Sequence, residues 1–294
     1  MTTNNNTNHT SSFDVNEFKR TLKYEATTSP QTIIQDMISL KEFDQEHETK
    51  IGIGTGIGVL GIVGIVIGAI ALFNGQVPIA VIVGGIGIVL AVVGFSIKGI
   101  NQDYDVDNRR YEIVSGLLKL LSKDMAGNET VTLSLDCRPH NHKSKLQRAG
   151  RVGHWNAKFF HDSWLTMQGR LLDGTRYTIS LIEKQQDRHC TKRSASGKTK
   201  HKRKTKNASE AIVSLKIKKA PYAQNPNLAL NIRKTLKLPQ QTHFKTANFE
   251  NEVLSLRTTT KSPWDVGMAG QLDGVNWIAM MFLSLYQVLH ESKS

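Results

Sequence analysis

The chain reads as an α+β protein in which a two-helix transmembrane hairpin anchors a mainly antiparallel β cytoplasmic domain with a C-terminal helix. Three observations carry this reading. Residues 51–97 contain no Asp, Glu, Lys or Arg and divide into two apolar stretches, 51–73 and 77–97, each about as long as a bilayer-crossing helix. After residue 130 the apolar period falls to two, the signature of half-buried strands. From Asp273 to Glu291 it returns to that of a helix, with Trp277, Ile278, Met281, Phe282, Leu285, Val288 and Leu289 on one side.

Residues 1–28 are expected to be a disordered polar tail, because the run MTTNNNTNHTSS has too little apolar area to offset the entropy of ordering. Ser29-Pro30 is a helix start, serine capping and proline at the first helical position. It opens a juxtamembrane helix over 29–50 whose apolar stripe is Ile33, Ile34, Met37, Ile38 and Leu40.

Glycines organise the two spans. At 100° per residue, Gly54, Gly58, Gly61, Gly64 and Gly68 share one face of the first span, and Gly84, Gly87, Ala91 and Gly94 share one face of the second. With the turn centred near Gly75 and Gln76, Gly68 lies opposite Gly84, Gly64 opposite Gly87, Gly61 opposite Ala91 and Gly58 opposite Gly94. Helices in lipid associate through such close backbone approach rather than through hydrophobic force, so these positions are expected to form the packing seam. Gly52 and Gly56 face away and could support a homo-oligomer. In composition, residues 51–97 resemble glycine-zipper membrane segments, a resemblance that implies helix packing and oligomerisation and is silent on the rest of the chain.

Topology follows from the cations. The turn between the spans has none, whereas Lys41 and Lys50 precede the first span and Lys98, Arg109, Arg110, Lys119 and Lys123 follow the second, so both termini are expected to be cytoplasmic. The first 50 residues hold no apolar signal-peptide core, leaving the first span to direct insertion.

Residues 98–127 should form an amphipathic helix, strongest from Asp105 to Asp124 and stopped by Gly127-Asn128. In the domain 131–294, Val131, Leu133, Leu135 and Cys137 alternate with polar residues as a strand, and residues 164–183 read as a hairpin turning at Asp173-Gly174, a dipeptide suited to a type I′ turn. Ala211 to Lys218 and Asn251 to Thr259 supply further strands.

Lys and Arg exceed Asp and Glu by 17 in residues 131–294, so this domain holds all of the chain's net positive charge of +13. Nine cations and no acid fall between residues 188 and 206: Arg188, Lys192, Arg193, Lys198, Lys200, Lys202, Arg203, Lys204 and Lys206. The run repels itself, and it is expected to be a flexible hairpin loop, projecting from the sheet, that binds anions. Lipid headgroups are the first expected partner, each cation gaining about 1 kcal/mol at an anionic leaflet. Phosphates of nucleic acid are the alternative.

Signals for chemistry are weak. Ser196-Gly197-Lys198-Thr199 ends like a P-loop but lacks the leading glycine, which is Lys192 here. Cys137, His140, His142, His189 and Cys190 could supply zinc ligands, yet their spacing is not that of a standard site. His154, Trp155, Phe159, Phe160, His161, Asp162 and Trp164 are concentrated in residues 153–164, where a strand over 152–160 would split them between two faces and His161-Asp162 would offer an acid/base pair. No catalytic residue, cofactor or metal is assigned. The expected role is a membrane anchor or scaffold that presents a basic domain. A membrane-tethered enzyme or metal-dependent sensor with a pocket in 131–294 is the reading from another class.

Overall fold

The structure, a computed structural model, describes residues 13–193, 196–217 and 228–291, the side chains of 228–230 excepted. The chain divides into two units, one comprising residues 15–20 and 38–108 and the other holding the remainder.

Helix α1 (Val15–Thr21) precedes the long helix α2 (Pro30–Phe73), whose residues from 38 onward belong to the first of these units, and α3 (Val77–Gln102) returns antiparallel to it. Ser29 caps α2 by accepting from the Thr32 N–H at 3.2 Å, with Pro30 as the first helical residue. The expected juxtamembrane helix and first span are one uninterrupted helix of 44 residues, since residues 41–50 contain neither Gly nor Pro and are mostly good helix formers. Gly75, at φ 76°, ends it, and Pro78 sits in the first turn of α3. Between residues 51 and 102 only Gly54, Gly58, Gly61, Gly68, Ala71, Gly87 and Gly94 are buried. The large side chains point outward, among them Leu60, Phe73 and Val81 at 65%, 92% and 67% exposure. Away from the apolar stretches, Phe18 packs edge-on to Phe43 at 5.5 Å, and the Asp44 carboxylate accepts from the Val106 N–H at 2.8 Å.

The other unit is built on an antiparallel sheet of eight strands: β1 (Lys23–Thr28), β2 (Val131–Asp136), β3 (Leu146–Val152), β4 (Trp155–Arg170), β5 (Arg176–Arg193), β6 (Thr199–Lys216), β7 (His243–Glu250) and β8 (Val253–Thr260). Their order is β1-β2-β4-β5-β6-β8-β7, and β3 pairs with the first half of β4. Helices α4 (Arg109–Leu121), α5 (Leu228–Thr235) and α6 (Gly274–Glu291), with a small parallel pair β9 (Trp264–Asp265) and β10 (Leu272–Asp273), complete it. One face of the sheet carries buried Leu133, Leu135, Met167, Ile179, Val213 and Leu256, and it meets α6 through Tyr177 against Phe282 and through Trp277 Nε1, which donates to Thr258 Oγ1 at 2.9 Å. The opposite face is polar.

Several expectations change. Residues 13–28 are ordered, not a tail: β1 pairs with β2 over its whole length, and the Tyr24 hydroxyl donates to Asp36 at 2.6 Å. Residues 1–12 lie outside the described residues. The helix expected over 98–127 is divided, with α3 ending at Gln102 and α4 running only from Arg109 to Leu121. Of the Asp173-Gly174 pair only Gly174 has positive φ, and the turn is wider than a two-residue loop, Leu171 N–H donating to Thr175 O. The hairpin with two positive-φ residues is instead β7–β8, at Asn251 (φ 50°) and Glu252 (φ 67°). The aromatic strand is broken at Gly153 (φ 58°), which separates β3 from β4, and a register shift between Ser163 and Leu165 turns Trp164 and Leu165 both inward. Lys218 lies outside the described residues.

Candidate functional site

The sheet continues beyond its own core at one corner. β4 leaves β5 after the Asn156–His189 pair, and β8 leaves β6 after the Ser209–Thr260 pair, yet β5 and β6 stay in register as far as Arg193 and Thr199. Residues 188–193 and 199–206, expected to be a flexible loop, are therefore strand arms of a ribbon. Their alternation of side chains, hidden in the sequence by a uniform charge, allows ladder pairing.

The register sorts the cations. Lys192 faces Lys200, Cys190 faces Lys202, Arg188 faces Lys204 and Gln186 faces Lys206, so one side of the ribbon carries Arg188, Lys192, Lys200, Lys202, Lys204 and Lys206. The other side carries His189, His201, Arg203 and Arg193. Lys198 lies in the turn beside Gly197 (φ 78°), so the P-loop-like residues close a hairpin rather than open a helix. Like charges directly opposite in a ladder are destabilising. Lys200, Lys202, Arg203, Lys204 and Lys206 form no ion pair among the described residues.

Charges at the ribbon's root are balanced instead. Glu210, almost fully buried, pairs with Lys184 at 2.7 Å and with Lys245, while Ser209 donates to Glu183 at 2.9 Å and accepts from Trp264 Nε1 at 2.9 Å. Burial opposes ionisation of Glu210, but the hydrogen bonds and charges of Lys184 and Lys245 hold its pKa below the usual value.

A second ionic group lies under β3 and β4. Arg110 and Lys145 each pair with Asp162 at 2.8 Å, Lys145 reaches Asp136 at 3.4 Å, and Arg138 grips Asp136 at 2.5 Å. Burial alone would raise the Asp136 pKa, but Arg138 and Lys145 bring it to about 2. The arrangement also removes the acid/base pair suggested by sequence. Asp162 points inward beside Glu183, and His161 lies on the opposite face beside Lys184.

The other sequence-derived sites separate as follows. Cys137 and Cys190 are both buried, and neither is in a disulfide. Among the described residues the only convergence of three ligand-bearing side chains is Asp44, Glu48 and Asp105, whose oxygens lie within 4.8 Å of one another, and none of the five Cys and His residues belongs to it. On the helices, a Cβ added to Gly68 would stand 2.7 Å from Gly84 Cα, one on Gly64 3.1 Å from Gly87 Cα and one on Gly87 2.7 Å from Gly61 O. Gly61 abuts the Ala91 backbone, Gly94 abuts Gly58, and Gly54 lies 2.7 Å by the same measure from Gly94 O, whereas Gly52 and Gly56 meet nothing within 4 Å.

No protein-family model, characterised protein or solved structure matches this chain.

Sequence reasoning missed two cavities. One, of about 470 Å³, is an apolar recess of Leu117, Leu121, Leu171, Phe282 and Leu283 with Tyr286 at its rim. Burial raises the Tyr286 pKa, so its hydroxyl remains a donor to Asp173 at 3.3 Å. The other opens on the polar face of the sheet. Neither is lined by His154, His161 or Cys137.

Proposed function

We propose that α2 and α3 cross a bilayer as a hairpin and tether the sheet unit at its cytoplasmic face, where the β5–β6 ribbon binds anionic lipid headgroups. The observation that carries the binding role is the ribbon's six-cation side, on which Lys192 opposes Lys200 and Arg188 opposes Lys204 with no acid to offset them. An anionic surface relieves this repulsion. Insertion is supported by the inverted burial of residues 51–102, small residues inside and large apolar ones outside, the reverse of a water-soluble helix pair.

The binding test uses the full chain, because a fragment beginning at residue 131 would lose β1 and α4. Reconstituted in nanodiscs of zwitterionic lipid, it should bind phosphatidylserine-containing vesicles far better than phosphatidylcholine vesicles. Reversing Lys200, Lys202, Lys204 and Lys206 to Glu should weaken that binding by at least about three orders of magnitude, from about 1 kcal/mol per cation. Stronger binding of mixed-sequence RNA than of vesicles at about 0.15 M salt would reassign the ribbon to nucleic acid. Binding of neither sinks the proposal.

Topology has its own test. In a background without Cys137 and Cys190, a cysteine at Asn74 should react in intact cells with an impermeant thiol reagent, and one at Lys123 should not. Equal labelling would overturn the cytoplasmic placement of the sheet.

A further inference from the structure

We propose that the polar face of the sheet, at the end of β5 remote from the ribbon, binds a phosphorylated polyol such as a sugar or inositol phosphate. The site is made by register. Arg170 on β4 lies directly opposite Arg176 on β5, and Arg176 directly opposite Lys216 on β6. Three exposed cations thus share one row over two strand spacings of about 4.8 Å. Glu129 reaches Arg170 at 3.8 Å, and Arg176 and Lys216 form no ion pair among the described residues. Two like-charged neighbours in one row cost the fold stability. A dianionic phosphate placed over Arg176 would reverse that cost.

The next row specifies the remainder of the ligand. Thr132, Gln168, Thr178 and Ser214 are aligned across β2, β4, β5 and β6, about 6.7 Å along the strands from the cations. All four are neutral and can both donate and accept, which matches the hydroxyls of a polyol and offers nothing to an apolar group. Both rows line one open cleft of about 490 Å³, within the range of small-ligand sites. The cation side of the ribbon, to which only Gln186 and Cys190 add uncharged side chains, has no such second row.

Isothermal titration of the full chain in nanodiscs with glucose 6-phosphate, inositol 1-phosphate, glucose and inorganic phosphate tests the assignment. At least one of the two phosphorylated polyols should bind at least about tenfold more tightly than inorganic phosphate, and glucose should bind least. Arg176→Gln should weaken that binding by about tenfold to a hundredfold, the loss of one charge-assisted contact, while raising Tm through relief of repulsion. Thr178→Val should weaken binding of the phosphorylated polyol and leave that of inorganic phosphate unchanged. Vesicles bearing phosphatidylinositol 4-phosphate form the second arm: capture through Arg176 that exceeds binding of soluble inositol 1-phosphate assigns the polyol phosphate to a lipid headgroup, and the reverse order to a free metabolite. Equal affinity for inorganic phosphate and both sugar phosphates, or an Arg176→Gln variant that binds as tightly as the parent, overturns the proposal.

Discussion

The α2–α3 pair and the β5–β6 ribbon are both antiparallel hairpins in which like faces like, with opposite consequences. Glycine against glycine brings two backbones together, as where a Cβ on Gly68 would stand 2.7 Å from Gly84 Cα. Lysine against lysine, as at Lys192 and Lys200, drives two arms apart while the backbone ladder holds them. In the first hairpin the juxtaposition is the cohesion. In the second it opposes cohesion.

The largest predicted effect breaks the helical side of this comparison. Gly87→Leu places a side chain where the Ile65 backbone N would be 2.6 Å from its Cβ, and it should destabilise the pair by about 3 kcal/mol, the upper range for overpacking. Ile88→Leu, at an exposed position, should change little. Thermal unfolding of both variants in one detergent reads the contrast; equal stability would make the glycines incidental to packing.

Acid separates the two regions next. Asp136 is held at about 2 in the folded chain against an ordinary 3.8, so its ionisation contributes stability that is fully present above about pH 4 and is lost as pH falls toward 2. The shift corresponds to at most about 2.5 kcal/mol. Residues 51–97 have no group to titrate. Circular dichroism between pH 4 and 2 should therefore show loss of the sheet signal while the helical signal of residues 51–97 persists.

Removing the balance at the ribbon's root should have a smaller effect. Glu210→Ala leaves Lys184 and Lys245 without their shared carboxylate, and because both lysines are partly exposed, solvent screening limits the loss to about 1 kcal/mol. Added salt should recover part of it in chemical denaturation. The smallest effect has the opposite sign. Lys192→Glu turns a repulsive cross-strand pair into an attractive one and should stabilise the sheet by a few tenths of a kcal/mol. A loss of stability there would mean that the ribbon's charges are already compensated.

These contrasts follow how far each feature could be read from the sequence. The helical hairpin was legible because its signals are local: an uncharged run, a turn of Asn74, Gly75 and Gln76, and small residues every three or four positions. The alternation of Val131 to Asp136 and the apolar stripe of α6 were legible for the same reason. β1 was missed because its six residues gain their meaning only by pairing with residues more than a hundred positions away. The ribbon's cations and its projection as a hairpin were legible, but its strands were not, since polar and charged side chains on both faces erase the polar/apolar alternation that marks a strand. The row of Arg170, Arg176 and Lys216 was invisible for a stricter reason. It exists only through the relative register of three strands, and no one segment contains it.

The ribbon also leaves unfinished sheet edge. Among the described residues, β6 from Thr199 to Ala208 has β5 on one side and no strand on the other, and β5 from Cys190 to Arg193 is equally open. Such edges are templates for a further strand from another molecule, and inserted lysine is a common defence against fibre growth. The cations of this corner stand where such a defence is placed. Exchanging Lys200, Lys202, Lys204 and Lys206 for Gln should yield a chain that assembles edge to edge as its concentration rises, whereas the Glu exchange should stay dispersed.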